Sequence, residues 1–143
     1  MPYDVNLQLA QKSVPLTGTG ALPHVLCEGG FRADIEFHTG VVTDTNETFN
    51  LDIEASKDDG ANYFPILTLE QITNDEESTK ISRSVYIPRP TFPATKTRVR
   101  ANVTAVGGTT PSLPVDIFIA PLLSLAPPAQ DESLGIGLAK LYT

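Results

Sequence analysis

The sequence predicts an all-β domain, a two-sheet antiparallel β-sandwich of jelly-roll or immunoglobulin-like kind with extended terminal segments. Three observations lead there. Apolar residues recur with period two, most cleanly Phe49, Leu51, Ile53 and Ala55 against Asn50, Asp52, Glu54 and Ser56. That pattern gives a strand one dry face and one wet face. Twelve prolines and ten glycines cut the chain into short runs, about seven or eight strands in all. No stretch of useful length carries the period of a helix. The strict immunoglobulin pattern is disfavoured, because there is one cysteine and no tryptophan.

The chain is organised around Phe49 to Leu69. After the alternating run, Lys57-Asp58-Asp59-Gly60 supplies turn chemistry, since Asp tolerates and Gly favours positive φ. Tyr63, Phe64, Ile66, Leu67 and Leu69 return the chain as the second limb of a hairpin, apolar on both faces from Phe64 to Leu67, which suggests the middle of a sheet.

Before the hairpin, Tyr3, Val5, Leu7 and Leu9 alternate with polar residues as a short strand, and Ser13 to Leu22 continues extended, broken by Pro15, Gly18 and Gly20. Phe31, Ala33, Ile35 and Phe37 then face one way and Arg32, Asp34, Glu36 and His38 the other, with Gly40 ending or bulging the strand. Beyond the hairpin, Asn74 to Ser78 is an acidic turn with room for one helical turn. Ile81 to Ile87 is a strand that Pro88, Pro90 and Pro93 confine to a sheet edge or a crossing. Val99, Ala101, Val103 and Ala105 point inward from Thr97–Val106, with Arg98, Arg100, Asn102 and Thr104 outward. Leu113, Val115, Ile117 and Ile119 form the next inward set. Leu134, Ile136 and Leu138 alternate again in a proline-rich tail. The expected division is an extended segment over 1–22, a sandwich over 23–120, and a C-terminal arm or last strand over 121–143.

Length and composition bound the function. A chain of 143 residues is one domain, able to bury about two-thirds of its unfolded surface without disulfides or metal. The start, MPYDVNLQLAQ, has neither a basic flank nor an apolar core, so no signal peptide is expected, and no run is long enough for a membrane helix. A net charge of −7 argues against general affinity for nucleic acid. Cys27 reads as a semi-buried small hydrophobe rather than a reactive thiol.

No constellation for catalysis emerges. His24 and His38 lack ligand spacing, the serines sit in no G-x-S-x-G elbow, and there is no phosphate-binding glycine motif. Asp58-Asp59-Gly60 lacks the other acidic positions of a calcium loop. If the strands carrying Asp34 with Glu36 and Asp52 with Glu54 paired, four carboxylates would share a surface; Arg98 and Arg100 would instead make an ion-pair ladder with them. No enzyme, cofactor, metal or small-molecule substrate is expected.

Charge is unevenly distributed. Lys80, Arg83, Arg89, Lys96, Arg98 and Arg100 fall together, with no acidic residue between Glu77 and Asp116. Such a band either docks on a complementary protein surface or spreads over two faces and balances the acidic strands.

The hairpin residues Ser56, Asp59, Gly60 and Tyr63, followed by Arg98, Val99, Val103, Gly108, Thr109 and Pro111, resemble the small β-sandwich structural proteins of tailed bacteriophage virions, most of all capsid decoration (cement) proteins. The likeness covers residues 49 to 120. It implies a non-enzymatic protein, often trimeric, on the outside of a capsid, assembled in the host cytoplasm, with the major capsid protein and itself as partners. Membrane and nucleic acid would not be partners.

The expected interaction residues are Tyr3, Val5, Leu7, Leu9, Leu122, Leu123, Leu134, Ile136 and Leu138 in the end segments, with Lys80, Arg83, Arg89 and Lys96 of the basic band. Another head or tail subunit is an alternative. A carbohydrate-binding sandwich is a further one, for which Tyr3, Tyr63, Tyr86, Phe92 and Tyr142 are the aromatics available to stack on sugars.

Overall fold

A computed structural model describes residues 7–42 and 45–121. Within them run nine strands: β1 (Gln8–Ala10), β2 (Gly20–Ala21), β3 (Val25–Cys27), β4 (Phe31–Thr39), β5 (Thr48–Ser56), β6 (Phe64–Thr68), β7 (Lys80–Ile87), β8 (Thr97–Gly107) and β9 (Val115–Pro121). One sheet has four strands in the order β1-β9-β4-β7. The other has five, with β2 and β3 following one another along β8, and then β5 and β6. Every pairing is antiparallel. The fold is the predicted two-sheet β-sandwich.

The period-two residues explain the packing. Ala33, Ile35 and Phe37 of β4 and Val115, Ile117 and Ile119 of β9 are buried from one sheet. They meet Phe49, Leu51 and Ile53 of β5 and Val99, Ala101 and Val103 of β8 from the other, in one continuous core. Cys27 is also buried. Desolvation pushes its thiol up to about 11, against the pull of Lys96, which suits a packing role.

One conditional reading is decided here and two expectations are corrected. The strands β4 and β5 do not pair; they lie in opposite sheets, so Asp34 and Glu36 share no surface with Asp52 and Glu54. Each strand has one dry face, and facing those two dry faces across the core buries both. Secondly, Ala105 is exposed. On β8 the register passes from Leu51↔Val103 to Asn50↔Ala105, leaving Thr104 as an extra residue. That bulge moves the following residues to the other face, and Val106 packs on the core in place of Ala105. Thirdly, the sandwich starts before residue 23. β1 and β2 belong to the sheets, and Leu16 is buried and bridged to Leu113 through two 2.9 Å backbone bonds.

The hairpin forms as expected, with β5 inside its sheet, but β6 is the sheet's edge and its Phe64 is 37% exposed. At the turn, Asp59 and Gly60 take φ of 58° and 87°. The edge position expected for Ile81–Ile87 is seen in β7. Its Arg83 lies opposite the buried Ile35 and reaches Glu70 at 3.1 Å; a charge there keeps another strand from adding to that edge. The acidic turn holds a 3₁₀ turn at Asn74–Glu76, with a capping box between Thr73 and Glu76.

Ile53 is 1% exposed at the centre of the five-stranded sheet. Ile53→Ala is expected to destabilise the fold by about 2–5 kcal/mol in a denaturant titration. A loss under ~0.5 kcal/mol would contradict its burial between the sheets.

Candidate interaction surface

The basic band does not assemble into one patch. Lys80 lies 3.5 Å from Glu36, Arg83 meets Glu70, Lys96 pairs with Glu28, and Arg100 donates to Glu54 at 2.9 Å. Lys80 belongs to the four-stranded sheet and Arg100 to the five-stranded one. The band therefore spreads over two faces and balances neighbouring acids. Arg89 and Arg98 are in no ion pair among the described residues. Arg98, expected on an ion-pair ladder, instead buries its Nε without a partner and packs its guanidinium over Gly60.

The outer face of the five-stranded sheet carries the clearest polar network. Glu54 accepts from Arg100 Nε and, on its other oxygen, from Asn102 Nδ2 at 3.0 Å. The Arg100 guanidinium lies 3.5 Å from the centre of the Tyr63 ring, a cation–π contact. The opposite face has its own group, with His38 and Lys80 both reaching Glu36, and the Phe118 ring edge-on to His38 at 6.0 Å. Among the described residues no cluster of acids, histidines and cysteine could hold a metal ion.

One end of the sandwich gathers three connections. The segment Pro88–Lys96 between β7 and β8 is tied to the hairpin turn by Thr91 N–H donating to Lys57 O at 2.8 Å. It is tied to β8 by Thr97 Oγ1 donating to Pro88 O at 2.6 Å. Gly29, at φ 79°, lies so close to the Pro88 carbonyl that a side chain there would collide with it. Leu7 and Pro121, where the described chain begins and ends, line one shallow apolar groove of about 320 Å³ at this end, with Leu26, Cys27, Phe31 and Lys96.

The other predicted interaction residues fall as follows. Leu9 is 4% exposed and belongs to the chain's own core. Tyr3, Val5, Leu122, Leu123, Leu134, Ile136 and Leu138 lie outside the described residues. Sequence reasoning weighed Phe92 only for sugar stacking, yet it is 93% exposed. Its signal was legible: an aromatic in Pro90-Thr-Phe-Pro93 sits in a loop whose prolines bar it from a ladder.

No family model matches this chain, and no curated protein matches it. Among solved structures, the N-terminal cellulose-binding domain of Cellulomonas fimi β-1,4-glucanase C superposes on 83% of this chain and 77% of its own. The TM-score is 0.48 and the sequence identity 15%.

The hairpin turn makes a pH prediction. Asp58 accepts from Asn62 Nδ2 at 2.7 Å, from Asn62 N–H at 2.9 Å and from Ser56 Oγ at 2.8 Å. These bonds, the Asn62 side chain first, lower its carboxyl from the ordinary 3.8 to about 2. A depressed folded value means the turn's contribution is present above 3.8 and is lost as pH falls through about 2. NMR titration should find the Asp58 midpoint near 2, and Asn62→Ala should raise it. A wild-type midpoint at or above 3.8 would contradict the network.

Proposed function

We propose that this is a non-enzymatic structural protein of a bacteriophage virion, a capsid decoration (cement) protein that reinforces a head by binding between capsid subunits. Its action is adhesive. The sandwich is a rigid body, and the end segments grip the neighbours. The observation that carries this reading is the meeting of Leu7 and Pro121 at one apolar groove. Leu7 and Pro121 are the residues to which 1–6 and 122–143 are joined in the sequence. Those two sequence segments carry Tyr3, Val5, Leu122, Leu123 and Leu125, apolar side chains that gain by burial against a partner.

The virion assignment itself draws on the hairpin and strand motifs around Ser56-Asp59-Gly60-Tyr63 and Arg98-Val99-Val103. The hairpin part forms a bonded unit, with Ser56 Oγ accepting from Gly60 N–H at 2.9 Å. Assembly as a trimer and attachment to the major capsid protein belong to the same proposal.

One observation favours a second reading, a carbohydrate-binding sandwich. On the outer face of the five-stranded sheet Tyr63 lies beside Arg100, Glu54 and Asn102, and a ring beside planar hydrogen-bonding groups can stack and hold a sugar. Titration with soluble cello- and xylo-oligosaccharides separates the two. Saturable NMR shifts centred on Tyr63 and lost in Tyr63→Ala would favour the second reading.

For the leading reading, deletion of residues 126–143 is expected to leave the sandwich folded, judged by circular dichroism and thermal unfolding. The same deletion should weaken assembly in the ultracentrifuge and retention on sedimenting capsids. A truncated protein that assembles and binds capsids like the full chain would overturn the attachment mode.

A further inference from the structure

We propose that the outer face of the five-stranded sheet holds a carboxylate-binding site at Arg98, and that its ligand is an oligosaccharide bearing one sugar acid. Such a ligand deepens the carbohydrate reading above, on which the site rests. Arg98 is a cation on that face for which its own chain supplies no acceptor. Among the described residues it makes no hydrogen bond, ion pair or ring contact. Its Nε is buried without a partner, while the terminal nitrogens Nη1 and Nη2 are not enclosed. A guanidinium presents its donors as a planar fork, and a carboxylate fits that fork by accepting on both oxygens.

The backbone fixes where the fork stands. Arg98, near the start of β8, lies opposite Ser56 of β5 on one side and Leu26 of β3 on the other. Gly60, at φ 87°, lies over the guanidinium, and a side chain there would meet Nη1 at 2.7 Å. The acids of the turn do not quench the charge. Asp58 is held by Asn62 and Ser56, and Asp59 is in no ion pair among the described residues. Arg100, two residues on, has its charge matched by Glu54. Arg98 therefore keeps one unmatched positive charge on this face. A ligand with a single negative charge neutralises it. A phosphate monoester, at roughly −2, would bring surplus charge to a chain that already carries −7.

The surroundings select a sugar over a peptide. The strand β8 is paired with β5 along one side and with β2 and β3 along the other. It offers no free edge for a peptide backbone to join as a strand. What the face offers is side chains. Leu26, 55% exposed, gives apolar surface beside Arg98, and Tyr63 stands beside Arg100. Asn102 lies further along the same face of β8, roughly 13 Å from Arg98 at ~3.3 Å per residue. Its amide and the Glu54 carboxylate that it bonds are suited to hydroxyls, which both donate and accept. The fork seats the acid at the hairpin end, the neighbouring sugar units run along β8 toward Asn102, and the Glu54–Arg100 pair stays intact.

The probes are xylotriose and xylotriose carrying one glucuronic acid branch, titrated into the full chain by calorimetry and NMR. The branched acid should bind at least about 10-fold more tightly than the neutral sugar, the worth of a charge-assisted hydrogen bond. Arg98→Gln should abolish that difference and leave binding of the neutral sugar unchanged. Methyl-esterifying the acid should abolish it too on the unaltered protein, a result that stands even where the variant fails to fold.

Equal binding of acid and neutral sugar by the wild type overturns the proposal and leaves the carbohydrate reading in place. Binding of neither sugar overturns both. Oligoglutamate that competes at Arg98 as well as the branched acid would assign the fork to a protein carboxylate, and it overturns the sugar assignment.

Discussion

The register between β5 and β8 is the constraint on which the rest of the sandwich depends. It sets Ile53 opposite Ala101 inside and Glu54 opposite Arg100 outside. A slip of one residue would turn Asp52, Glu54 and Arg100 toward the core and expose Leu51 and Ile53. Each buried charge would then cost several kcal/mol before any pairing. The apolar face and the Glu54–Arg100–Asn102 network therefore enforce one alignment from opposite sides. The same register carries Ser56 to Arg98, and so fixes where the hairpin turn meets the start of β8. The loop from β7 is then tied to that turn through Thr91 and Lys57.

What was legible in the sequence follows from the range of each interaction. The dry faces of β4, β5 and β9 could be read residue by residue, because side-chain alternation is a local property of the strand. The turn at Asp59-Gly60 could be read too, since positive φ is a property of those residues. Which sheet a strand joins is not local. Asp34, Glu36, Asp52 and Glu54 have the same spacing whether β4 and β5 are neighbours or opposites, and only the closure of the core separates the cases. The bulge at Thr104 was hidden for a related reason. Alanine fits either face, so the pattern Val103-Thr104-Ala105 gives no sign of where the alternation shifts. β1 falls at the end of the alternating run read through Leu9, whereas the two-residue β2 was obscured by Gly18, Gly20 and Pro23 around it. The basic band was visible as a sequence cluster, but a stretch that crosses from one sheet to the other spreads its charges over both.

The candidate surface shows the same division. The resemblance fell on the hairpin and on β8, which form a bonded unit. The expected interaction residues fell partly on Leu9, which the core uses, and partly on segments beyond the described residues. The feature that stands out is Phe92, which no periodicity marks. A periodic pattern reports what a strand buries in its own domain. A side chain on a loop outside the ladder has no reason to obey it, and prolines around an aromatic are the better sign of its exposure.

Edge protection and exposed apolar surface together suggest where contacts form. At the β7 edge, Arg83 stands opposite the buried Ile35 but is itself exposed and held by Glu70, and a charge there discourages strand addition along that side. On the sheet faces, Glu36 and Glu54 are each engaged by cations or amides of their own chain, so displacing those partners would cost any ligand their hydrogen bonds. The loop end has the opposite character. Leu26 and Phe92 are exposed there at 55% and 93%, the backbone around them is already hydrogen-bonded, and Arg89 is in no ion pair among the described residues. Binding at that end requires little reorganisation and removes apolar surface from water. The sheets and their ion pairs act as the rigid body, and the end that carries the braced loops is where this chain has most to gain from a partner.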